Sequence, residues 1–187
     1  TQILTSNSNG QIYLWNIGDP NLLVQIYKNT EDAGGNTIIQ GHTDSINDIS
    51  FSSDGSYIFS VSDDSRLIIW NTVTGTSTVI DEPGRNIQKI TVSSDDLKII
   101  TSDLDGKINI YTFNGVSGEY EITKNNLQTS DTNDNIFSIT FHSSNAYFIT
   151  GSADKLVKLW DTDGNLAQEL EEKHTDNVTE CLFNSDD

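Results

Sequence analysis

The stretch of sequence that decides the fold is GHTDSINDISFSSDGSYIFSVSDDSRLIIWN, residues 41–71. It holds three apolar runs of strand length, which are separated by short runs of Ser, Asp and Gly. Small polar residues of this kind suit tight turns, and their alternation with short apolar runs is typical of antiparallel strands joined by hairpins. Helical spacing of the apolar residues is absent, so the stretch predicts a small sheet.

The same pattern recurs along the chain, with Ile87 and Ile136 at the position that Ile46 holds in the first copy. A partial copy ends at Trp15, and the start of another, expected to be a strand, covers residues 178–183. A further apolar segment follows the third strand of each full copy, and we expect fourth strands at 76–80, 120–123 and 166–170. Self-similarity at this period is the signature of a repeat architecture.

Four strands per repeat, Gly41-His42 ahead of a first strand and Trp70 near the end of a third strand resemble the WD40 family. One copy also ends in the dipeptide Trp160-Asp161. The resemblance covers essentially the whole chain and implies an all-β fold, a β-propeller of four-stranded blades. About four blades' worth of sequence is present, and we expect it to be part of a larger propeller of about seven blades.

We interpret residues 1–187 as one propeller fragment. Its repeat boundaries are placed near residues 1–40 (partial), 41–82, 83–131, 132–173 and 174–187 (partial).

The resemblance also implies a hydrogen-bonded tetrad that ties a blade together, with its complete set at His42, Ser60, Asp64 and Trp70. In the family the Asp accepts from the His, the His contacts the hydroxyl, and the hydroxyl meets the Trp N–H. A nucleophilic triad of the same Ser, His and Asp is rejected, because in the family these groups lie between strands and the tryptophan N–H occupies the hydroxyl. Other copies hold partial tetrads that are expected to be incomplete or rewired: Thr5, Asn9 and Trp15; Thr101, Asp105 and Tyr111; Thr150, Asp154 and Trp160.

The chain is strongly acidic, with 28 Asp and Glu against 10 Lys and Arg and a formal net charge of -18. This excess repels phosphate backbones and anionic lipid, so we expect neither nucleic acid nor a membrane as a partner. Motifs for phosphate binding, zinc hydrolysis or a nucleophile elbow are absent, and Cys181 is the single cysteine. We therefore expect no catalytic residue, cofactor, metal site or small-molecule substrate, and partners that are other proteins.

Binding is expected at loops, because the strands are occupied by internal packing. Insertions around residues 27–36 and 124–131 lengthen two of the connections between blades. In the family, peptides commonly contact the residues before each first strand and the loop between the second and third strands. These positions, with the first insertion, give the candidate partner-binding residues Tyr27, Asp44, Arg85, Asn86, Leu104 and Asp134.

Together these features favour a non-catalytic scaffold or adaptor that binds partners through its loops and top face within a multiprotein assembly, for example a cytoskeletal or ciliary one. The alternative is a WD40 targeting domain of a larger enzyme whose catalytic part lies outside this chain. The first residues lack the features of a signal peptide, so we expect a cytoplasmic location, with nuclear and cytoskeletal or ciliary sites as alternatives.

Overall fold

The computed structural model of the chain describes residues 2–17, 23–31, 37–38, 41–82, 84–128, 134–170 and 174–184. The chain forms two compact units, Thr1–Ile87 and Gln88–Asp187. Across the described residues the regular structure is all strand, and no helix there is long and apolar enough to cross a membrane.

The first unit contains two antiparallel sheets, blade 1 and blade 2. Blade 1 has three strands in chain order: β1 (Gln2–Ser6), β2 (Ile12–Asn16) and β3 (Leu23–Tyr27). A separate two-stranded ladder joins β4 (Thr30–Glu31) to β5 (Thr37–Ile38). Blade 2 has four strands in chain order: β6 (Ile46–Phe51), β7 (Tyr57–Ser62), β8 (Arg66–Asn71) and β9 (Ser77–Asp81).

The second unit contains blades 3 and 4, each a four-stranded antiparallel sheet in chain order. Blade 3 consists of β10 (Ile87–Val92, whose first residue closes the first unit), β11 (Lys98–Asp103), β12 (Lys107–Asn114) and β13 (Glu119–Gln128). Blade 4 consists of β14 (Ile136–Phe141), β15 (Tyr147–Ser152), β16 (Val157–Asp161) and β17 (Leu166–Leu170). These sheets confirm the predicted all-β fold of WD40-type blades.

Two details of the sequence interpretation are wrong. Residues 124–128 belong to β13 and are not part of a loop insertion, because they continue the pairing with β12. Residues 178–183 are not a strand, since they pair with no strand among the described residues. They lie along blade 4 instead, where Thr140 Oγ1 donates to the carbonyl of Cys181 at 3.0 Å.

The middle strands of each blade carry the core. Residues 67–70 of β8 are all buried, which explains why this strand reads as a continuous apolar run and does not alternate. In the first unit one cluster joins both blades and includes Ile12 and Leu14 of β2 with Ile68 and Trp70 of β8. In the second unit a matching cluster joins blades 3 and 4. Neighbouring blades in each unit therefore stack through their apolar faces.

Two glycines allow the blades within each unit to approach closely. Each lies in the turn that leads into the Trp- or Tyr-bearing strand of its blade, which we call the Trp-strand turn. Gly10 has φ +73°, and a Cβ there would lie 2.5 Å from the carbonyl oxygen of His42. Gly106 has φ +71°, and a Cβ there would collide with the carbonyl oxygen of Asp134. In both cases the neighbour is the lead segment, the stretch that precedes the first strand of the following blade.

We expect Gly106→Ala to lower the free energy of unfolding more than Gly118→Ala, as measured by chemical denaturation. Both glycines have a left-handed backbone, at φ +71° and +74°, so both substitutions carry the strain of about 1 to 2 kcal/mol for a Cβ there. Only Gly106 faces a backbone oxygen, whereas a Cβ on Gly118 would meet no atom within 4 Å. Steric overlap should therefore add about 1 to 3 kcal/mol at Gly106.

Equal destabilisation by the two substitutions would show that the close approach of Gly106 to Asp134 is not a constraint on the fold.

Candidate functional site

The candidate partner-binding residues of the first unit lie at contacts between a Trp-strand turn and a lead segment. Asp44 belongs to the lead segment beside Gly10, and its exposed carboxylate accepts a hydrogen bond from the backbone of Ser45 at 2.7 Å. The backbone N–H of Arg85 donates to Ser65 Oγ at 3.1 Å, and Asn86 beside it is exposed. We call each such contact a junction.

The second unit repeats this arrangement. Leu104 and Gly106 share one Trp-strand turn, and Gly106 lies against the backbone of Asp134. The side chain of Leu104 is 45% exposed, although it is apolar. In the next blade Lys155 Nζ donates to the carbonyl of Thr175 at 3.0 Å, so another Trp-strand turn meets the segment that follows its blade. The junction is therefore a recurrent feature of both units.

Tyr27 does not belong to this set. Its side chain is 2% exposed, its ring centroid lies 5.4 Å from that of Trp70, and burial raises the pKa of its phenol. The reason is its position in β3 directly opposite Ile12, which places it on the buried face of blade 1. The prediction that Tyr27 contacts a partner is thus wrong, since the inserted ladder of β4 and β5 begins after it.

Sequence reasoning missed Asn29, which holds the Gly-His segment in place. Asn29 Oδ1 accepts from the backbone N–H of Gly41 at 2.7 Å, and its Nδ2 donates to the carbonyl of His42 at 3.1 Å. A Cβ on Gly41 would lie 2.9 Å from backbone atoms of Lys28 and Asn29, which explains the glycine. An asparagine twelve residues before Gly41 carries no motif that could have revealed this role.

Asn47 was also missed, and it links blade 2 to the segment that follows it. Its Nδ2 donates to Asp63 Oδ1 at 2.7 Å and to the carbonyl of Ile87 at 2.9 Å. One amide group therefore contacts both the Trp-strand turn of blade 2 and the start of β10. The signal available in the sequence was a polar residue, Asn47, directly after the first residue of a predicted first strand.

The tetrad residues of blade 2 form a continuous buried chain of hydrogen bonds. His42 Nδ1 lies 3.1 Å from both oxygens of Asp64, and Nε2 lies 2.7 Å from Ser60 Oγ. Trp70 Nε1 donates to the same hydroxyl at 3.0 Å. A proton on Nδ1 allows His42 to donate to Asp64, while its Nε2 lies within hydrogen-bond distance of the Ser60 hydroxyl, so each group has a partner. The lead segment and two strands of blade 2 are thereby tied together.

Asp64 is anchored further by the backbone. Its oxygens accept from the N–H groups of Thr43, at 2.8 Å, and Arg66, at 3.1 Å. Burial by itself raises the pKa of this carboxyl, but hydrogen bonds from His42, Thr43 and Ser62 and the attraction of His42 together hold the pKa below its ordinary value of 3.8. Asp64 therefore stays ionised at neutral pH and accepts several bonds at once.

Blades 1 and 3 depart from this network. In blade 1 Trp15 Nε1 donates to Thr5 Oγ1 at 2.9 Å at an exposed site, and Asn9 is an exposed turn residue. In blade 3 Thr101 and Tyr111 are buried, but the carboxylate of Asp105 is 64% exposed. The neighbouring Asp103 organises that turn instead, accepting from the backbone of Asp105 at 3.0 Å and of Lys107 at 2.9 Å.

Blade 4 uses a lysine where blade 2 uses histidine. Trp160 Nε1 donates to Thr150 Oγ1 at 3.0 Å, and Lys158 Nζ lies 2.6 Å from Asp154 Oδ2. The Lys158 side chain is only 6% exposed, and Glu169 lies 3.7 Å from its ammonium group. Burial alone raises the pKa of Asp154, but the bonds from Lys158, Ser152 and Leu156 hold it below its ordinary value. A lysine between the apolar residues of a predicted strand was the sequence signal.

Pro83 and Thr132 stand in the sequence where blades 3 and 4 would carry the counterpart of His42, and both lie outside the described residues. Within the described ranges, no group of three or more His, Cys, Asp or Glu side chains is arranged to hold a metal ion.

Cys181 is half-buried beside Ser138. The hydroxyl of Ser138 accepts a hydrogen bond from the backbone N–H of Cys181 at 3.1 Å, and burial raises the pKa of the Cys181 thiol. Cys181 thus contributes to the contact of the last described segment with blade 4.

We expect Ser60→Ala to lower the free energy of unfolding by about 2 to 6 kcal/mol. Two buried groups, Trp70 Nε1 and His42 Nε2, would each lose a partner, at about 1 to 3 kcal/mol each. Thr5→Ala is the matched control, since it removes the equivalent Trp15 bond where water can replace the hydroxyl. That substitution should cost about 0.5 to 1.5 kcal/mol. Thermal and denaturant unfolding measure both, and equal costs would contradict a special role for the buried tetrad.

We expect the free energy of unfolding to fall as the pH drops from about 4 to about 2, because the pKa of Asp54 is lowered from 3.8 to about 2 by bonds from Ser56 and Ser52. A carboxyl with a lowered folded-state pKa stabilises the fold above its unfolded pKa and loses that contribution as it becomes protonated. The lowered pKa values of Asp64, Asp95, Asp154 and Asp161 act in the same direction.

The Asp54→Asn variant should lose less stability than the wild type across this pH window, as measured by urea denaturation at each pH. Identical pH profiles for the two proteins would contradict a contribution from Asp54.

The comparisons with known proteins agree with this geometry. A family model described as "WD domain, G-beta repeat" matches residues 36–71 and 124–161. A guanine nucleotide-binding protein subunit beta-like protein of Encephalitozoon cuniculi (strain GB-M1) is 30% identical over 124 residues, which cover 66% of this chain and 36% of that protein.

Two more distant relatives show the same partial coverage. A WD repeat domain-containing protein 83 homolog of Dictyostelium discoideum is 26% identical over 127 residues, 67% of this chain and 37% of that protein. A guanine nucleotide-binding protein subunit beta of Saccharomyces cerevisiae (strain ATCC 204508 / S288c) is 25% identical over 142 residues, 75% of this chain and 33% of that protein. The chain thus spans about a third of the length of the curated relatives it matches. This chain thus contains two segments that match the WD-repeat model, and its four-stranded blades agree with that similarity.

Proposed function

We propose that this chain is a non-catalytic scaffold that binds segments of other proteins at its junctions, within a multiprotein assembly. The observation that carries the proposal is the recurrence of the junction in both units, with side chains of different chemistry displayed around it. In the first unit these residues are the exposed Asp44 and Asn86 and the half-buried Arg85. In the second they are Leu104 and Asp134.

The backbone at each junction is held firmly, and this supports the proposal. Gly10 and Gly106 allow backbone contact at two junctions, while hydrogen bonds from Arg85 N–H and Lys155 Nζ close two others. A partner therefore meets a backbone whose course is set before binding, which reduces the entropy lost on association. Arginine and exposed apolar residues are also among the types enriched at protein interfaces.

Two of the relatives are named as a guanine nucleotide-binding protein beta subunit or as a protein like one, and a subunit is by definition a component of an assembly. This likeness supports the scaffold over the alternative of a targeting domain in a larger enzyme. We extend the proposal to a cytoplasmic assembly, for which a cytoskeletal or ciliary complex is one form.

Affinity capture from the source cells tests the proposal with three forms of the protein. Leu104→Asp and Arg85→Glu should each reduce recovery of the same discrete partner set by about tenfold. Each substitution places a negative charge against a partner surface that is complementary to the original side chain. Val73→Asp is the matched control: Val73 is 84% exposed in the turn between β8 and β9, at the end of blade 2 remote from the junctions. Folding of each form is checked by the unfolding midpoint.

Unchanged recovery with both junction variants, or equal loss with Val73→Asp, would refute binding at the junctions.

A further inference from the structure

The hairpin of β12 and β13 in blade 3 is longer than its counterparts. β13 has 10 residues, whereas the fourth strands of blades 2 and 4, β9 and β17, have 5 each. Regular pairing with β12 runs from Glu119 to Ile122, and register shifts interrupt the ladder beyond it. β13 ends the strand order of its sheet, so its outer edge pairs with no other strand among the residues the structure describes. An outer edge of this kind offers backbone N–H and C=O groups for strand addition.

The two faces of this edge differ in chemistry. Glu119 and Glu121 point to one face, where Glu121 Oε1 accepts from Asn114 Nδ2 at 2.7 Å. Tyr120 and Ile122 point to the other face. There the Tyr120 ring lies 5.2 Å from the ring of Phe113, and Ile122 is 44% exposed. The edge therefore alternates between acidic and apolar positions.

The carboxylates of β13 also differ from those of the other fourth strands. Asp81 on β9 pairs with Arg66 at 2.9 Å, and Glu169 on β17 lies 3.7 Å from Lys158, so both meet a cation of their own blade. Neither Glu119 nor Glu121 forms an ion pair with a Lys or Arg of the described residues. Their charge is thus available to a cation from outside the blade.

The apolar side of the hairpin continues at its tip. Val116 in the turn between β12 and β13 is 98% exposed, and Leu97 and Phe113 nearby are 48% and 36% exposed. Phe113 N–H donates to the carbonyl of Leu97 at 2.8 Å, which places these two residues side by side. Exposed apolar residues gathered around one edge are typical of an interaction surface.

We propose that the outer edge of β13, centred on Glu119–Ile122, binds an extended peptide segment of a partner protein in which Lys or Arg alternates with apolar residues. Such a segment adds a strand to blade 3. Its cations then lie on the face of Glu119 and Glu121, and its apolar side chains lie beside Tyr120 and Ile122, because cross-strand neighbours share a face. This surface is separate from the junctions, so the test of this proposal is independent of the test of the scaffold function proposed above.

The test titrates the full chain with a labelled seven-residue peptide of alternating Lys and Val, read by fluorescence anisotropy. Two control peptides are a block isomer of the same composition, with all Lys before all Val, and an alternating Glu and Val peptide. We expect the alternating Lys and Val peptide to bind at least about tenfold more tightly than either control, and its affinity to fall as salt is raised from about 0.05 to 0.5 M. Equal binding of the block isomer would show simple charge attraction and overturn the proposal.

A charge variant and a matched control locate the peptide. Glu119→Lys combined with Glu121→Gln should weaken binding about tenfold, while the Gln side chain keeps the acceptor for Asn114. The control combines Asp176→Lys with Asp81→Asn, which changes the net charge by the same amount at exposed positions outside this edge, and it should bind as the wild type does. Equal weakening by both double variants would overturn the proposal.

The strand geometry has its own readout. Bound peptide should slow hydrogen exchange of backbone amides in residues 119–123 and leave β9 and β17 unchanged. Two peptides are then made, one with the backbone nitrogens of the odd residues methylated and one with those of the even residues methylated. One of them should lose binding and the other should keep it, because an added strand forms hydrogen bonds to the edge through alternate residues. Unchanged exchange in β13, or equal effects of the two methylation registers, would overturn strand addition.

Discussion

The buried hydrogen bond between a tryptophan indole and a hydroxyl on the preceding strand is the interaction on which blades 2 and 4 depend. It joins Trp70 to Ser60 and Trp160 to Thr150 at 3.0 Å in both cases. The indole brings a large apolar surface into the core, but its N–H must find a partner there, since an unsatisfied buried donor costs about 1 to 3 kcal/mol. One bond therefore couples core packing to the register of the two central strands.

The two blades with a buried indole bond secure their turn carboxylate by different chemistry. In blade 2 the imidazole of His42 connects Asp64 to Ser60, so the lead segment becomes part of the blade. In blade 4 the ammonium of Lys158 meets Asp154 from within the sheet itself. Both arrangements leave a buried carboxylate with a compensating donor, which is the condition for keeping such a charge in an apolar surrounding. The physical requirement is retained even though the residue that meets it has changed.

Because the backbone is satisfied internally in the middle strands, the chain can present new chemistry only at turns, lead segments and outer edges. The junctions and the outer edge of β13 are two such places, and they differ in kind. A junction displays separate side chains on a backbone held by glycines and hydrogen bonds, whereas the edge of β13 displays backbone groups together with alternating acidic and apolar side chains. The two places therefore differ in the groups that they offer, side chains at a junction and backbone together with side chains at the edge.

The sequence by itself determined the strands and the tetrad of blade 2. Apolar runs separated by Ser, Asp and Gly specify short strands through local turn chemistry, and the spacing of His42, Ser60, Asp64 and Trp70 is local to one repeat. Features that depend on contacts between segments were decided only by the tertiary structure. Tyr27 is buried because the register of β3 places it opposite Ile12, and Gly106 lies against Asp134 because blade 4 packs beside blade 3. Neither spacing nor residue type encodes these contacts, since they arise only when separate strands and blades are packed together.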